Sequence, residues 1–135
     1  MEKESKTLTF LSTQHTMAEI ERLVNSLCER FHIAEDYYGN MLVAVSEAVN
    51  NAIQHGNRNN PAKKVIVGYH ISDEVLSFSV KDEGAGFDYA HIPDPTAPEN
   101  LEKPNGRGVF LMRNLAERVS FEDNGSKALL EFKTK

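Results

Sequence analysis

The chain of 135 residues has one cysteine, no long apolar run and no basic stretch, and each lack removes a class of function. Cys28 cannot form an internal disulfide. A reduced cytoplasmic protein with one inert core thiol is therefore expected, and a catalytic role for Cys28 is not. No apolar segment approaches the ~20 residues of a transmembrane helix. The start, Met1-Glu2-Lys3-Glu4-Ser5-Lys6, is charged and carries no apolar stretch of a secretion signal. A net charge of −5 without basic clusters argues against direct nucleic-acid binding, because nothing would neutralise a row of phosphates.

Several chemical signatures are missing as well. The five histidines are scattered and form no metal-ligand spacing with Cys28. There is no GxSxG elbow, and the glycines fit neither a GxxxxGK[ST] loop nor a Rossmann fingerprint. No repeat and no linker divides the chain. With 40% hydrophobic and 26% charged residues it has the composition of an ordinary globular protein, and one domain over residues 1–135 is expected.

What is present is clear periodicity. Thr7 to Ser12 alternates and predicts a first strand. Thr16-Met17-Ala18-Glu19 has the form of a capping box, and Met17, Ile20, Val24, Leu27 and Phe31 follow at three- and four-residue steps, which predicts an amphipathic helix. A second helix is predicted over Glu35 to His55, stopped by Gly56. Strands are expected over Lys64 to Ile71 and Val75 to Lys81, joined by Ser72-Asp73-Glu74. Val65, Val67, Tyr69 and Ile71 share one face of the first; Leu76, Phe78 and Val80 share one face of the second. Residues 88–105 hold four prolines and read as a long functional loop. A short helix over Gly108 to Arg118 and a closing hairpin around Asp123-Asn124-Gly125 complete the pattern.

Three segments carry chemistry. In the second helix Glu47, Asn51 and His55 recur at i, i+4 and i+8, drifting by only about 40° per step, opposite Leu42, Val45, Val49, Ala52 and Ile53. A carboxylate and an amide on one stripe suit Mg²⁺, which uses few protein oxygens and keeps waters or phosphates as its other ligands. His55 has two readings, a structural helix-end residue beside Gly56 or a contact near phosphates. Asp82-Glu83-Gly84-Ala85-Gly86 follows a strand: Asp82 can accept a hydrogen bond from an adenine amino group, while Gly84 and Gly86 allow close backbone approach. Gly106-Arg107-Gly108 precedes the third helix, where free amides favour phosphate and Arg107 can add a charged contact. Given the acidic net charge, a triphosphate here would need a cation beside it.

In order and content these segments resemble the N box and two glycine boxes of the GHKL superfamily, and within it the small bacterial anti-sigma factor serine/threonine kinases. The resemblance spans nearly the whole chain and implies a Bergerat-type fold: a two-layer α/β (α+β) sandwich, with a mixed, mainly antiparallel sheet packed on about three helices. It implies ATP and Mg²⁺ as cofactors, with Asn51 on the metal, Glu47 as general base and Asp82 on adenine. Gly84 and Gly86 would permit close approach, Gly106 and Gly108 would shape the phosphate loop, and residues 88–105 would be a lid. The implied partners are a STAS-type anti-anti-sigma protein, which is phosphorylated, and a sigma factor, which is sequestered; a homodimer is also implied. Where several members have another glycine or serine before the second glycine box, this chain has Lys103-Pro104-Asn105. The competing reading is an ATP-binding regulatory module that binds partners without phosphotransfer. Catalytic pieces of histidine kinases, and the DNA-repair and topoisomerase relatives, fit less well, for want of a dimerising helix pair or a second domain.

Overall fold

The computed structural model describes residues 2–85 and 104–135. Its elements run β1 (Glu2–Leu11), α1 (His15–Arg30), α2 (Glu35–Asn51), a π-helical turn (Ala52–Gly56), β2 (Lys64–Ser72), β3 (Val75–Lys81), α3 (Pro104–Leu115), β4 (Arg118–Glu122) and β5 (Lys127–Lys133). The strands form one sheet in the order β1-β2-β3-β5-β4. The expected two-layer sandwich is present, but the expected mixed sheet is antiparallel in every described pairing. The connections explain this: β2–β3 and β4–β5 are hairpins, and the α1–α2 pair returns the chain antiparallel beside β1.

Alternation along the strands puts one face inward. Val65, Val67, Tyr69 and Ile71 of β2, Leu76, Phe78 and Val80 of β3, and Ala128, Leu130 and Phe132 of β5 are all buried. Ile20, Val24 and Leu27 of α1 and Met41, Ala44, Val45, Ala48 and Val49 of α2 close on them in a single core. Each fully buried aliphatic side chain contributes roughly 1.5–3 kcal/mol. Phe78 and Phe132 meet edge to face across neighbouring strands, with ring centroids 6.0 Å apart.

Local chemistry sets the boundaries. β1 begins well before Thr7 because Glu4 is held by a bidentate Arg30 guanidinium (3.0 Å to each oxygen) and by the Tyr69 hydroxyl, which pins the polar half of the strand to α1. The expected capping box at Thr16 does not form. The helix starts at His15, two residues before the start that a Thr16 cap would give, and the Thr16 hydroxyl donates instead to the Leu11 carbonyl (2.6 Å), where the chain turns out of β1. α1 ends with His32 in the left-handed region (φ 54°), while the Ile33 amide reaches back to the Cys28 carbonyl at 3.0 Å, a Schellman closure on a residue other than glycine. Glu35 and Asp36 stand in the first turn of α2, where negative charge complements the helix dipole.

The third helix begins at Pro104, four residues before the expected start, and stops at Leu115 so that Arg118 opens β4. Proline loses nothing as a first helical residue, because its missing N–H has no intrahelical acceptor there. Gly106 and Gly108 therefore lie inside the first turns of α3 and do not precede it. The β4–β5 turn uses three consecutive left-handed residues, Asp123, Asn124 and Gly125 (φ 52°, 58° and 95°), matching the turn composition there. Among the described residues no helix is long and apolar enough to cross a membrane. Cys28 is half-buried against Met41, and burial pushes its thiol up, away from the reactive thiolate.

Candidate functional site

The end of α2, the end of β3 and the β4–β5 turn converge on one cavity of ≈ 230 Å³. Asn51 and His55 reach it from α2 and the π turn, and Asp82 from the end of β3. Val80, Met112, Phe121 and Ala128 supply apolar wall, with the small side chains of Ala48 and Ala52 beside them. A cavity with apolar walls and a few converging polar groups is the usual form of a small-molecule site.

The stripe read from the sequence holds through Asn51 and then changes pitch. α2 ends there, and Ala52–Gly56 make a π turn in which the Asn57 amide donates to the Ala52 carbonyl at 2.8 Å. Such wide turns recur at functional positions because they redirect side chains without ending the helix. Glu47 and Asn51 face α3: a Cβ placed on Gly108 would lie 3.3 Å from Glu47 Oε2 and 3.5 Å from Asn51 Oδ1. Glycine at 108 thus lets the first turns of α3 approach a carboxylate and an amide at once. In an α-helix the first amides lack intrahelical acceptors, and Asn105, Gly106 and Arg107 stand in the first turn of α3.

Asp82 is held at the other end. Its amide donates to the Ser126 carbonyl (2.9 Å), and its Oδ1 accepts from the Gly84 amide (2.7 Å). Burial pushes its carboxyl above the usual aspartate range, with the Gly84 amide, Lys81 and Lys63 pulling the other way. The carboxylate occupies space that Gly56 leaves free, and a Cβ on Gly84 would come within 2.3 Å of the Gly56 carbonyl oxygen. His55 is half-buried, and burial lowers the pKa of its imidazole, so it is neutral at pH 7.

The structure therefore brings Glu47, Asn51 and Gly108 together, and places Asn51, His55, Asp82 and Gly84 around or beside the cavity. Arg107 and Gly106 are in the first turns of α3. Gly86 and residues 88–103 of the expected lid lie outside the described residues. Among the described residues no group of three or more His, Cys, Asp or Glu side chains is placed to hold a metal ion. A cation held here would rest on Asn51 together with ligands from the bound molecule, which is within the habit of Mg²⁺.

Sequence reasoning missed Met112, Phe121 and Ser126 as walls of the cavity, and it missed Asn57. Asn57 stands in a stretch that reads as a polar turn, yet its side chain is fully buried. Its Oδ1 accepts from the Glu83 amide (2.8 Å), and its Nδ2 donates to Ser12 Oγ (2.8 Å) and the Lys64 carbonyl (2.9 Å). The only sequence signal was an asparagine directly after the glycine that stops the helix.

Comparison with known proteins identifies the family and the fold. The model of the histidine kinase-like ATPase domain matches residues 10–132. The anti-sigma F factor of Oceanobacillus iheyensis is 29% identical over 136 residues, covering 98% of this chain and 92% of that protein. The serine-protein kinase RsbW of the same organism is 26% identical over 106 residues, covering 74% of this chain and 67% of its own length. Among solved structures, a Mycobacterium tuberculosis chain with RsbU and RsbW domains superposes with a TM-score of 0.67 at 16% identity, over 96% of this chain and 32% of that one, a likeness of fold. With a family match over nearly its whole length, this chain belongs to the histidine kinase-like ATPase domain family.

Proposed function

We propose that this protein is a Mg-ATP-dependent protein serine/threonine kinase that acts as an anti-sigma regulatory factor in the cytoplasm. Its acceptor would be a STAS-type anti-anti-sigma protein, and the kinase itself would hold a sigma factor until that partner competes. A homodimer is part of the proposal. The observation that carries it is the joint approach of Glu47 and Asn51 to Gly108, at 3.3 and 3.5 Å from the position of its missing Cβ. A kinase needs a proton acceptor and a metal-binding oxygen side by side where a phosphate chain meets a helix start. The names of the relatives, an anti-sigma F factor and a serine-protein kinase, support the same reading.

In the proposed reaction adenine enters the cavity, where Asp82 accepts a hydrogen bond from its amino group. The phosphates extend past Asn51 toward the amides of Gly106 and Arg107, and Arg107 adds a charged contact. Asn51 would hold Mg²⁺, which would supply charge stabilisation to the phosphates when bound. Glu47 takes the proton of the acceptor hydroxyl as its oxygen bonds to the γ-phosphorus. The bond to the β,γ-bridging oxygen breaks and ADP leaves. His55 contributes shape and a hydrogen bond near the phosphates.

Calorimetry with ATP and ADP, with and without Mg²⁺, tests the site. Wild type should bind in a Mg-dependent way that Asn51→Ala abolishes. Glu47→Ala should retain ATP binding and lose phosphotransfer by about 100-fold or more. Transfer at the wild-type rate by that variant would remove Glu47 from the mechanism. Binding by wild type without any transfer would favour a regulatory module that uses ATP to set its partner contacts.

A further inference from the structure

Asn57 sits where four chain segments meet: the π turn, the start of β2, the turn after β1, and the loop that carries Asp82. It is fully buried, and so is nearly all of Ser12, its partner from the β1–α1 turn. Both donors and the acceptor of its side-chain amide are satisfied by three different segments. Ser12 in turn donates to the Lys63 carbonyl at 2.8 Å. Glu83, whose amide Asn57 holds, bonds back through its carboxylate to the Lys64 amide. The loop after β3 is thereby tied at one residue by Asn57 and at the preceding residue by the Ser126 carbonyl.

We propose that Asn57 is a positioning residue for base recognition, fixing the Asp82 carboxylate at the mouth of the cavity through the Glu83 amide. This rests on the reading of Asp82 as the adenine contact. An apolar side chain could fill the same volume, but it would leave the Glu83 amide and the Lys64 carbonyl without these partners. A satisfied buried amide specifies one arrangement of the segments it joins, because each alternative leaves a polar group unpaired. Asp82 needs that constraint. Its carboxylate is pressed into the space at Gly56, 2.2 Å from where a Cβ would stand, so a small shift of the loop changes where it points. The residue acts on selectivity more than on grip, since the phosphate contacts come from α2 and α3.

The test compares ATP with inosine triphosphate, which has a carbonyl in place of the 6-amino group and so sets an acceptor where Asp82 would meet a donor. Affinities would be measured by calorimetry on wild type, Asp82→Ala, Asn57→Ala and Ser12→Ala, with folding checked by chemical denaturation. Wild type should prefer ATP by about tenfold or more, and Asp82→Ala should abolish the preference. Asn57→Ala should cut the preference to about twofold, and Ser12→Ala, remote from the nucleotide, by roughly threefold. If Asn57→Ala fails to fold, Ser12→Ala carries the test. Folded variants that bind more weakly but keep the full preference would make Asn57 purely structural and overturn the proposal. A wild type that binds ATP and inosine triphosphate alike would overturn the Asp82 contact itself, and the positioning role with it.

Discussion

Gly56 and Asp82 share one space: a Cβ on Gly56 would stand 2.2 Å from the carboxylate carbon of Asp82. Gly84 has the reciprocal relation to Gly56, but there the obstacle is backbone, the carbonyl oxygen at 2.3 Å. The two glycines therefore differ in what a methyl group would displace.

Gly56→Ala should be tolerated by the fold and damaging to the site. The atom it strikes is the end of a side chain, which can swing away, so stability should change by less than about 1 kcal/mol. On the proposed reading the displaced carboxylate would no longer meet the base, and ATP affinity should fall about tenfold. Gly84→Ala cannot be relieved by a rotamer and should cost roughly 1–3 kcal/mol. Denaturation and calorimetry on both variants check this ranking; the reverse order would mean that the loop yields and the carboxylate does not.

Nucleotide binding should weaken on acidification earlier than an ordinary aspartate would allow. Burial raises the Asp82 pKa above its usual 3.8, and only the ionised form is a pure acceptor. In the free protein the sign for stability is opposite to that of a salt-bridged carboxylate. The folded state holds this proton more tightly, so the contribution is present below pH 3.8 and is lost as pH rises through the raised value. ATP affinity measured from neutral pH downward should decline as Asp82 protonates, and Asp82→Asn should remove that decline. A pH profile unchanged in the variant would assign the titration to another group.

Glu4 has the contrary behaviour. Hydrogen bonds from Arg30 and Tyr69 hold its carboxyl at about 2, against an ordinary 4.5. The stability it contributes is fully present above pH 4.5 and is lost as pH falls through about 2. Glu4→Gln should lower stability at neutral pH by a small amount, because the pair is solvent-accessible, and should flatten the acid limb of the stability curve. Parallel acid limbs for the two proteins would show that the clip closes only weakly in solution.

His32→Gly should stabilise the protein. At φ 54° the histidine bears the strain of the left-handed region, which glycine does not feel. Part of the gain is returned through the freer unfolded chain, leaving about 0.5 kcal/mol. Thermal or chemical denaturation would detect it, and a loss of stability would indicate that the imidazole packs productively at the end of α1.

Much of the layout was legible because it follows from periods. Leu76, Phe78 and Val80 announce an inward strand face, and Ile20, Val24 and Leu27 announce a helix stripe, since alternation and the 3.6-residue turn are properties of backbone geometry. The grouping of Glu47 with Asn51 came from the same rule. What a period cannot show is a change of pitch, so the π turn at Ala52–Gly56 read as continuous α-helix. Nor can it show where a polar side chain goes. Asn57 reads as turn and is core; Thr16 has the cap motif, but its hydroxyl serves the Leu11 carbonyl. Composition placed Pro104 in a loop, although proline suits the first turn of a helix as well as it suits a loop. In each case the partner that decided the outcome was remote in sequence or one of several local alternatives.

The π turn also divides the labour of one continuous rod. A wide turn holds one residue more than its α-helical equivalent, so winding the same residues 52–56 at α pitch would rotate everything after them by roughly a quarter turn. Glu47 and Asn51 would stay in place, while His55, Gly56 and Asn57 would swing out of register with the loop that bears Asp82. On the proposed reading, the two ends of the nucleotide would be met by two mechanically separate parts of the same helix. A change confined to the π turn would then alter the choice of base without disturbing the groups proposed to handle phosphate.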